Sequence, residues 1–370
     1  MISTYPPTLC GIATFTTALR SGLAALGNDV GIVRVGGVAG DPATDIAAEL
    51  YSTPGVVSAS SSNALDRADV VVVQHEYGIF DGRDGESIVE VLERTDRPTI
   101  VVAHTVLEHP TRHQRTVLED VIQLADRVVV MTEAGRSRLL NGFEVDPTKI
   151  SVIPHGAAVS SVTRPQHPTN RPLLLTWGLL GPGKGIEWAI DALATISDVN
   201  PRPIYQIAGD THPKVAELEG DRYRDMLVQR AQDRKVEFDV HFDAGYRTLP
   251  ELAQLISESS IVVLPYDSPD QVTSGVLVDA IAAGRPVIAT AFPHAIELLS
   301  SGAGLVVPRR DPAALANAIR TVLNSPHLAE TMAAEARRLA PSLAWPSIAA
   351  RYAALGESLL QERSPAFASR

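Results

Sequence analysis

The chain has 370 residues, 45% apolar and 20% charged, with 32 Lys and Arg against 43 Asp and Glu. A net charge of −11 argues against a general nucleic-acid binder. The single cysteine, Cys10, excludes an internal disulfide, and no apolar run approaches the length of a membrane span.

In chain order, a loop Pro6–Phe15 leads into a helix predicted over Thr14–Leu26, with Leu19, Leu23 and Leu26 on one face and Gly27 as its stop. Short runs rich in β-branched residues predict strands at Val70–Gln74, Thr99–Ala103, Arg127–Met131 and Ile150–Ile153. Helices Gly85–Arg94 and Thr116–Ala125 lie between them. Thr163–Pro172, with three prolines and few apolar residues, reads as an extended linker. Beyond it strands are predicted at Leu173–Trp177, Pro203–Ala208, Val236–Phe242, Ile261–Leu264 and Val287–Ala289. Helices Trp188–Ile196, Leu249–Glu258 and Val276–Ala283 alternate with these strands. From Pro341 onward the chain reads as a terminal helix over Ile348–Leu360, with a frayed tail, Ser364–Arg370. Two βα series joined by a Pro-rich linker imply an α/β fold of two doubly wound, Rossmann-like domains facing across a cleft. The boundaries are residues 1–164, 165–340 and 341–370. With no secretory leader before Thr4-Tyr5-Pro6-Pro7, the chain reads as cytosolic.

Val262–Thr290 is the most informative stretch. A buried strand, a polar loop, a helix opening at Thr273-Ser274-Gly275 and a second strand form a βαβ unit. Its loop sits at the carboxyl end of a strand, where open α/β sheets bind ligands. The backbone N–H groups of Ser274, Gly275 and Val276, read as free, suit a phosphate; the same pattern also serves an ordinary connection with a small-residue cap. Thr176–Glu187 is a second strand–turn–helix. Glycines 181, 183 and 185 allow close backbone approach, and Lys184 adds a charge at the helix entrance. A plain tight turn has the same look.

Three histidines follow strand ends: His75, beside Glu76, then His104 and His155. Single loop histidines are usually structural, whereas three at strand ends in one domain point to a shared cleft. None has a Cys or carboxylate at ligand spacing, so no metal site is indicated, and no Asp-x-Asp triplet occurs. Glu108–Arg115 is locally basic, which suits an anionic acceptor, peripheral contact with a membrane surface, or a solvated helix start.

The stretch from Gln271 to Ile288 resembles the donor loop of family 4 retaining glycosyltransferases, which have the GT-B fold. That family carries two Glu eight positions apart, then Ala-x-x-x-Gly-x-Pro-Val. Here Gln271 and Asp279 stand at the acid positions, and Ala280, Gly284, Pro286, Val287 and Ile288 match the rest. Lys184 matches a pyrophosphate-binding Lys, but Leu179 stands where the family has Arg. The resemblance implies transfer of a hexosyl group, mannose favoured, from a nucleotide sugar to a carbohydrate or glycolipid hydroxyl with retention. It implies GDP-mannose as the favoured donor and no metal or other cofactor. His104 would orient the sugar, Gln271 would bond its hydroxyls, and Asp279 would hold the ribose. Gly11, Gly183, Gly209, Ser274, Gly275 and Val276 would lie against the donor, with His75 and Glu76 on the acceptor side. Asp243–Tyr246 would frame the nucleobase, and residues Phe292–Glu297 would lie on the donor side. The first strand, only Met1-Ile2-Ser3, is short for the family; it reads as a truncated or misassigned start whose cost would fall on stability more than on chemistry. The terminal helix would return to the N-terminal domain. Because Leu179, Gln271 and Asp279 depart from the pattern, a degenerate protein that binds without transferring is the alternative.

Overall fold

The computed structural model describes residues 1–8, 10–36, 45–53, 56–159, 171–245 and 247–363. Most of the predicted linker, Tyr246 and the tail Ser364–Arg370 lie outside the described residues. The chain divides into two compact units, Met1–Gly156 with Trp345–Arg370, and Ala157–Ala344.

The first unit runs β1 (Ile2–Ser3), α1 (Gly11–Ala25), β2 (Ile32–Arg34), β3 (Ile46–Glu49), β4 (Tyr51–Thr53), β5 (Val56–Val57), α2 (Ala59–Asp66) and β6 (Val71–His75). It continues with α3 (Ser87–Glu93), β7 (Thr99–Ala103), α4 (Arg112–Leu124), β8 (Arg127–Val130), α5 (Glu133–Gly142) and β9 (Ile150–Val152). Seven strands form a parallel sheet in the order β3-β2-β1-β6-β7-β8-β9, with β4 and β5 as a separate antiparallel pair. Two-residue β1 is central: Ile2 pairs with both Val33 and Val73.

The second unit contains β10 (Leu173–Trp177), α6 (Ile186–Ala194), β11 (Ile204–Ala208), α7 (Pro213–Glu219), α8 (Arg222–Asp233), β12 (Val240–Asp243) and α9 (Leu249–Glu258). Then follow β13 (Ile261–Leu264), α10 (Gly275–Ala282), β14 (Val287–Thr290), α11 (Pro293–Leu299), β15 (Gly304–Val307), α12 (Pro312–Leu323) and α13 (Pro326–Leu343). Its parallel sheet has the order β12-β11-β10-β13-β14-β15. Strand order reverses at β10/β13, the place where doubly wound sheets hold ligands beyond the carboxyl ends. Both faces are covered: Leu174 belongs to one buried apolar cluster, and Leu173, Leu175 and Trp177 to the other. That two-sided burial explains why the strand reads as an unbroken apolar run.

The last helix, α14 (Trp345–Arg363), belongs to the first unit and packs on α1, with Ile348, Ala349 and Tyr352 buried beside Phe15, Leu19 and Leu23. Pro341 does not start it. The preceding helix runs on to Leu343, and the break falls at Ala344, whose backbone is extended. The strand predicted from Val236 begins only at Val240. Lys235, left-handed at φ 58°, ends α8, and the Val236 N–H returns to the carbonyl of Ala231.

Candidate active site

In the second unit the loops at the carboxyl ends of β10, β11 and β13 are tied together by backbone. The Asp267 N–H donates to the Gly183 carbonyl at 3.0 Å, and the Leu180 N–H to the Asp210 carbonyl at 2.8 Å. Gly185, at φ 64°, has no room for a side chain, because a Cβ there would lie 1.9 Å from the Pro265 carbonyl oxygen. Gly178 and Gly209 touch likewise: a Cβ on Gly209 would lie 2.1 Å from the Gly178 oxygen. On its other side Gly178 faces Val276, whose Cγ2 would be 3.7 Å from a Cβ there. The structure therefore brings Gly183, Lys184, Gly209 and the start of α10 to one edge of one sheet.

Lys184 is half-buried, and among the described residues its ammonium has no carboxylate partner. It lies instead 4.5 Å from the ring centroid of Tyr266, which stacks at 5.1 Å on Phe292. A cation held on a ring keeps its full charge available to an anion. This contact was not legible in the sequence, which marks residues 265–266 only as a Pro-Tyr turn after the strand Ile261–Leu264.

The helix start needs one correction. The Ser274 N–H is not free: it donates to Nδ1 of buried His294 at 2.8 Å, while Ser274 Oγ caps α10 by accepting from the Leu277 N–H at 3.3 Å. The amides left for a ligand are those of Gly275 and Val276. Gln271 is turned onto its own loop, its amide donating to the Thr273 carbonyl. Asp279, one turn into α10, is half-buried, and burial raises its carboxyl pKa to about 7.

In the first unit the histidines gather about Phe15 on α1. Its ring centroid lies 5.0 Å from His104, 5.0 Å from His155 and 5.1 Å from Trp345. His104 Nε2 sits 2.8 Å from Gln74 Oε1. Burial, reinforced by His155 and His75, lowers the His104 pKa to about 3, so its ring is neutral near pH 7. His155 Nδ1 lies 2.7 Å from the Gly156 carbonyl, and burial lowers its pKa to about 4. His75 does not reach a surface. It is fully buried beside Tyr77, with neither ring nitrogen paired among the described residues, and burial lowers its pKa to about 4. Of the predicted acceptor-side pair only Glu76 stands at the edge, its oxygens accepting from the Tyr77 N–H at 3.0 Å and the Thr105 hydroxyl at 2.5 Å. Gly11 is exposed at the first position of α1, with open space around it. Cys10 is the cap of that helix, its sulfur accepting from the Ala13 N–H at 3.3 Å.

The basic segment leads into the start of α4, and part of its charge is engaged. His113 lies 2.9 Å from Asp84 and 3.0 Å from Glu86, and Arg115 packs over Phe143. An open depression of about 810 Å³ between α6 and α12 lies elsewhere, and its Arg234 and Arg320 are paired with Asp191 and Asp198. No described helix is long and apolar enough to cross a membrane.

Two family models match the chain: Glycosyltransferase Family 4 over residues 10–160 and Glycosyl transferases group 1 over residues 161–339. A D-inositol 3-phosphate glycosyltransferase of Corynebacterium efficiens is 23% identical over 282 residues, covering 70% of this chain. The match spans 65% of that relative's own length, just under two thirds. Sucrose-phosphate synthase from Thermosynechococcus elongatus superposes with a TM-score of 0.79 at 20% identity, over 97% of this chain and 98% of that one. Anabaena HepE in complex with UDP does so with 0.75 at 19% identity, over 96% and 99%. The order of the sheets and these likenesses show the GT-B fold, and with the two matched models, which together take in residues 10–339, the chain belongs to the glycosyltransferases of that fold.

Proposed function

We propose that the chain transfers a hexosyl group from a nucleotide-diphosphate sugar to an acceptor hydroxyl with retention, using neither metal nor resident cofactor. One observation carries the reading: Lys184, with no carboxylate partner among the described residues, stands at the same sheet edge as Gly178, which faces Val276 in the first turn of α10. Charge grows on the leaving diphosphate as the glycosidic bond breaks, and a preorganised cation with amide donors stabilises it there. Lys184 and the Gly275 and Val276 N–H groups take that role. Asp279 accepts from the ribose hydroxyls. His104, neutral and oriented by Gln74, binds a sugar hydroxyl, Gln271 bonds the sugar from the loop before α10, and Glu76 faces the acceptor. A cradle of this kind holds the diphosphate charge without a divalent ion.

GDP-mannose is the donor implied by the family resemblance. The likeness to a protein crystallised with UDP makes UDP-glucose the comparison arm. The experiment is transfer from each donor to a panel of carbohydrate and glycolipid acceptors in excess chelator, with the anomeric configuration of the product read by NMR. A retained anomer formed at full rate in chelator is expected. Inverted product, or activity that needs magnesium or manganese, sinks that part of the reading. Tight donor binding with no transfer to any acceptor would favour the binding-only alternative.

A further inference from the structure

Lys184 is not the only unpaired cation at the carboxyl edge of the second sheet. Arg224, the third residue of α8, donates from Nη1 to the Gly209 carbonyl at 3.3 Å and lies 5.9 Å from the ring centroid of Phe242. The neighbouring carboxylates are engaged elsewhere: Asp210 by the Gly245 N–H, Asp221 by Thr211, and Asp243 by Arg247 and Gln206. Among the described residues none pairs with Arg224.

Its position follows from the sheet. Trp177 and Ala208 are register partners in β10 and β11, so Gly178 and Gly209 leave adjacent strands side by side. Gly209 touches Gly178 by backbone, and Gly178 faces Val276 at the amide end of α10. The guanidinium on Gly209 is therefore separated from the Gly178–Leu179 peptide by a single close backbone contact. The family resemblance puts a charge at position 179, and Leu179 brings none.

We infer that Arg224 is the second cation of the donor diphosphate site, supplied from α8 in place of a charge at position 179. A guanidinium offers planar paired N–H donors to phosphate oxygens, and its weak present bond to a carbonyl leaves donors to spare. This rests on the donor reading above.

The test measures binding of inorganic pyrophosphate, UDP and GDP by calorimetry to the unaltered chain, Lys184→Ala, Arg224→Ala, Arg224→Lys and Arg224→Ala/Leu179→Arg. Arg224→Ala should lose about tenfold in affinity for all three probes, the size expected of one charge-assisted contact. Arg224→Lys should keep part of it, and Leu179→Arg should restore most of it in the Arg224→Ala background, which a merely structural arginine would not permit. Loss in Lys184→Ala with none in Arg224→Ala overturns this inference and leaves the donor reading intact. So does a loss for UDP and GDP that spares pyrophosphate, or a loss that Leu179→Arg fails to rescue. No binding of any probe by the unaltered chain overturns both.

Discussion

The N–H of Ser274 donates to Nδ1 of His294 across 2.8 Å, and both residues are buried. A ring nitrogen that accepts carries no proton, so His294 is held with its proton on Nε2. The bond joins the start of α10 to the start of α11. It also removes one helix-start donor from any ligand, leaving two of the three amides that the sequence reading set beside Lys184.

Replacing His294 with Leu leaves the Ser274 N–H buried without an acceptor. The expected cost is about 1–3 kcal/mol, read as a lower denaturant midpoint with an unchanged slope. Nucleotide diphosphate affinity should fall as well, because the loop before α10 loses its anchor. Unaltered stability would mean the N–H finds another partner.

Tyr266 carries the Lys184 ammonium, and its own hydroxyl is buried without a partner among the described residues. Tyr266→Phe keeps the ring and discards the unpaired hydroxyl, so melting temperature and pyrophosphate affinity should hold or rise. Tyr266→Leu should weaken pyrophosphate binding about two- to thirtyfold, the range of a partly desolvated cation–π contact. Equal affinities in the two variants would show that the ring does not position Lys184.

Burial lowers the pKa of His75 to about 4, His104 to about 3 and His155 to about 4, from an ordinary 6.5. Between pH 6.5 and about 4 the unfolded chain binds protons there that the folded one refuses, so stability falls as pH drops through that window. Asp279 has the opposite sign: its raised pKa makes stability fall as pH rises from about 4 to about 7. Three groups outweigh one, and the unfolding midpoint should be lower at pH 4.5 than at pH 7. His75→Leu removes two unpaired buried nitrogens. It should be neutral or stabilising at pH 7 and should flatten the acid loss, as thermal melts at the two pH values would reveal.

Asp279 also predicts a binding signature. If its carboxylate accepts from ribose hydroxyls, binding selects the ionised form of a group that titrates at about 7. Affinity for UDP-glucose or GDP-mannose, whose phosphates do not titrate near neutrality, should rise from pH 6 to pH 8. Asp279→Asn should bind more weakly at pH 8 and abolish the rise. A pH-independent affinity in the unaltered chain would remove Asp279 from the ribose.

Much of the architecture was determined locally. Leu173–Trp177, Ile261–Leu264 and Thr99–Ala103 are strands over the spans their β-branched and leucine runs predicted, because strands covered on both faces must be apolar throughout. The glycines at 183 and 185 and the Ser-Gly pair at 274–275 likewise announce turns and a helix start through backbone requirements that a short segment expresses alone. Local patterning misled where one period served two ends: Val236 closes a helix although its neighbourhood alternates like a strand. Only tertiary structure decided that His294 takes the Ser274 amide, that Lys184 rests on Tyr266 and that Arg224 reaches Gly209. These partners are 20, 82 and 15 positions apart in the numbering. The first two pairings join loops or helices from different βα units, brought together by parallel strand order, whereas Arg224 folds back from α8 onto the strand end of its own unit. Such meetings carry no periodic signature, because a crossover connection sets them rather than the residues on either side.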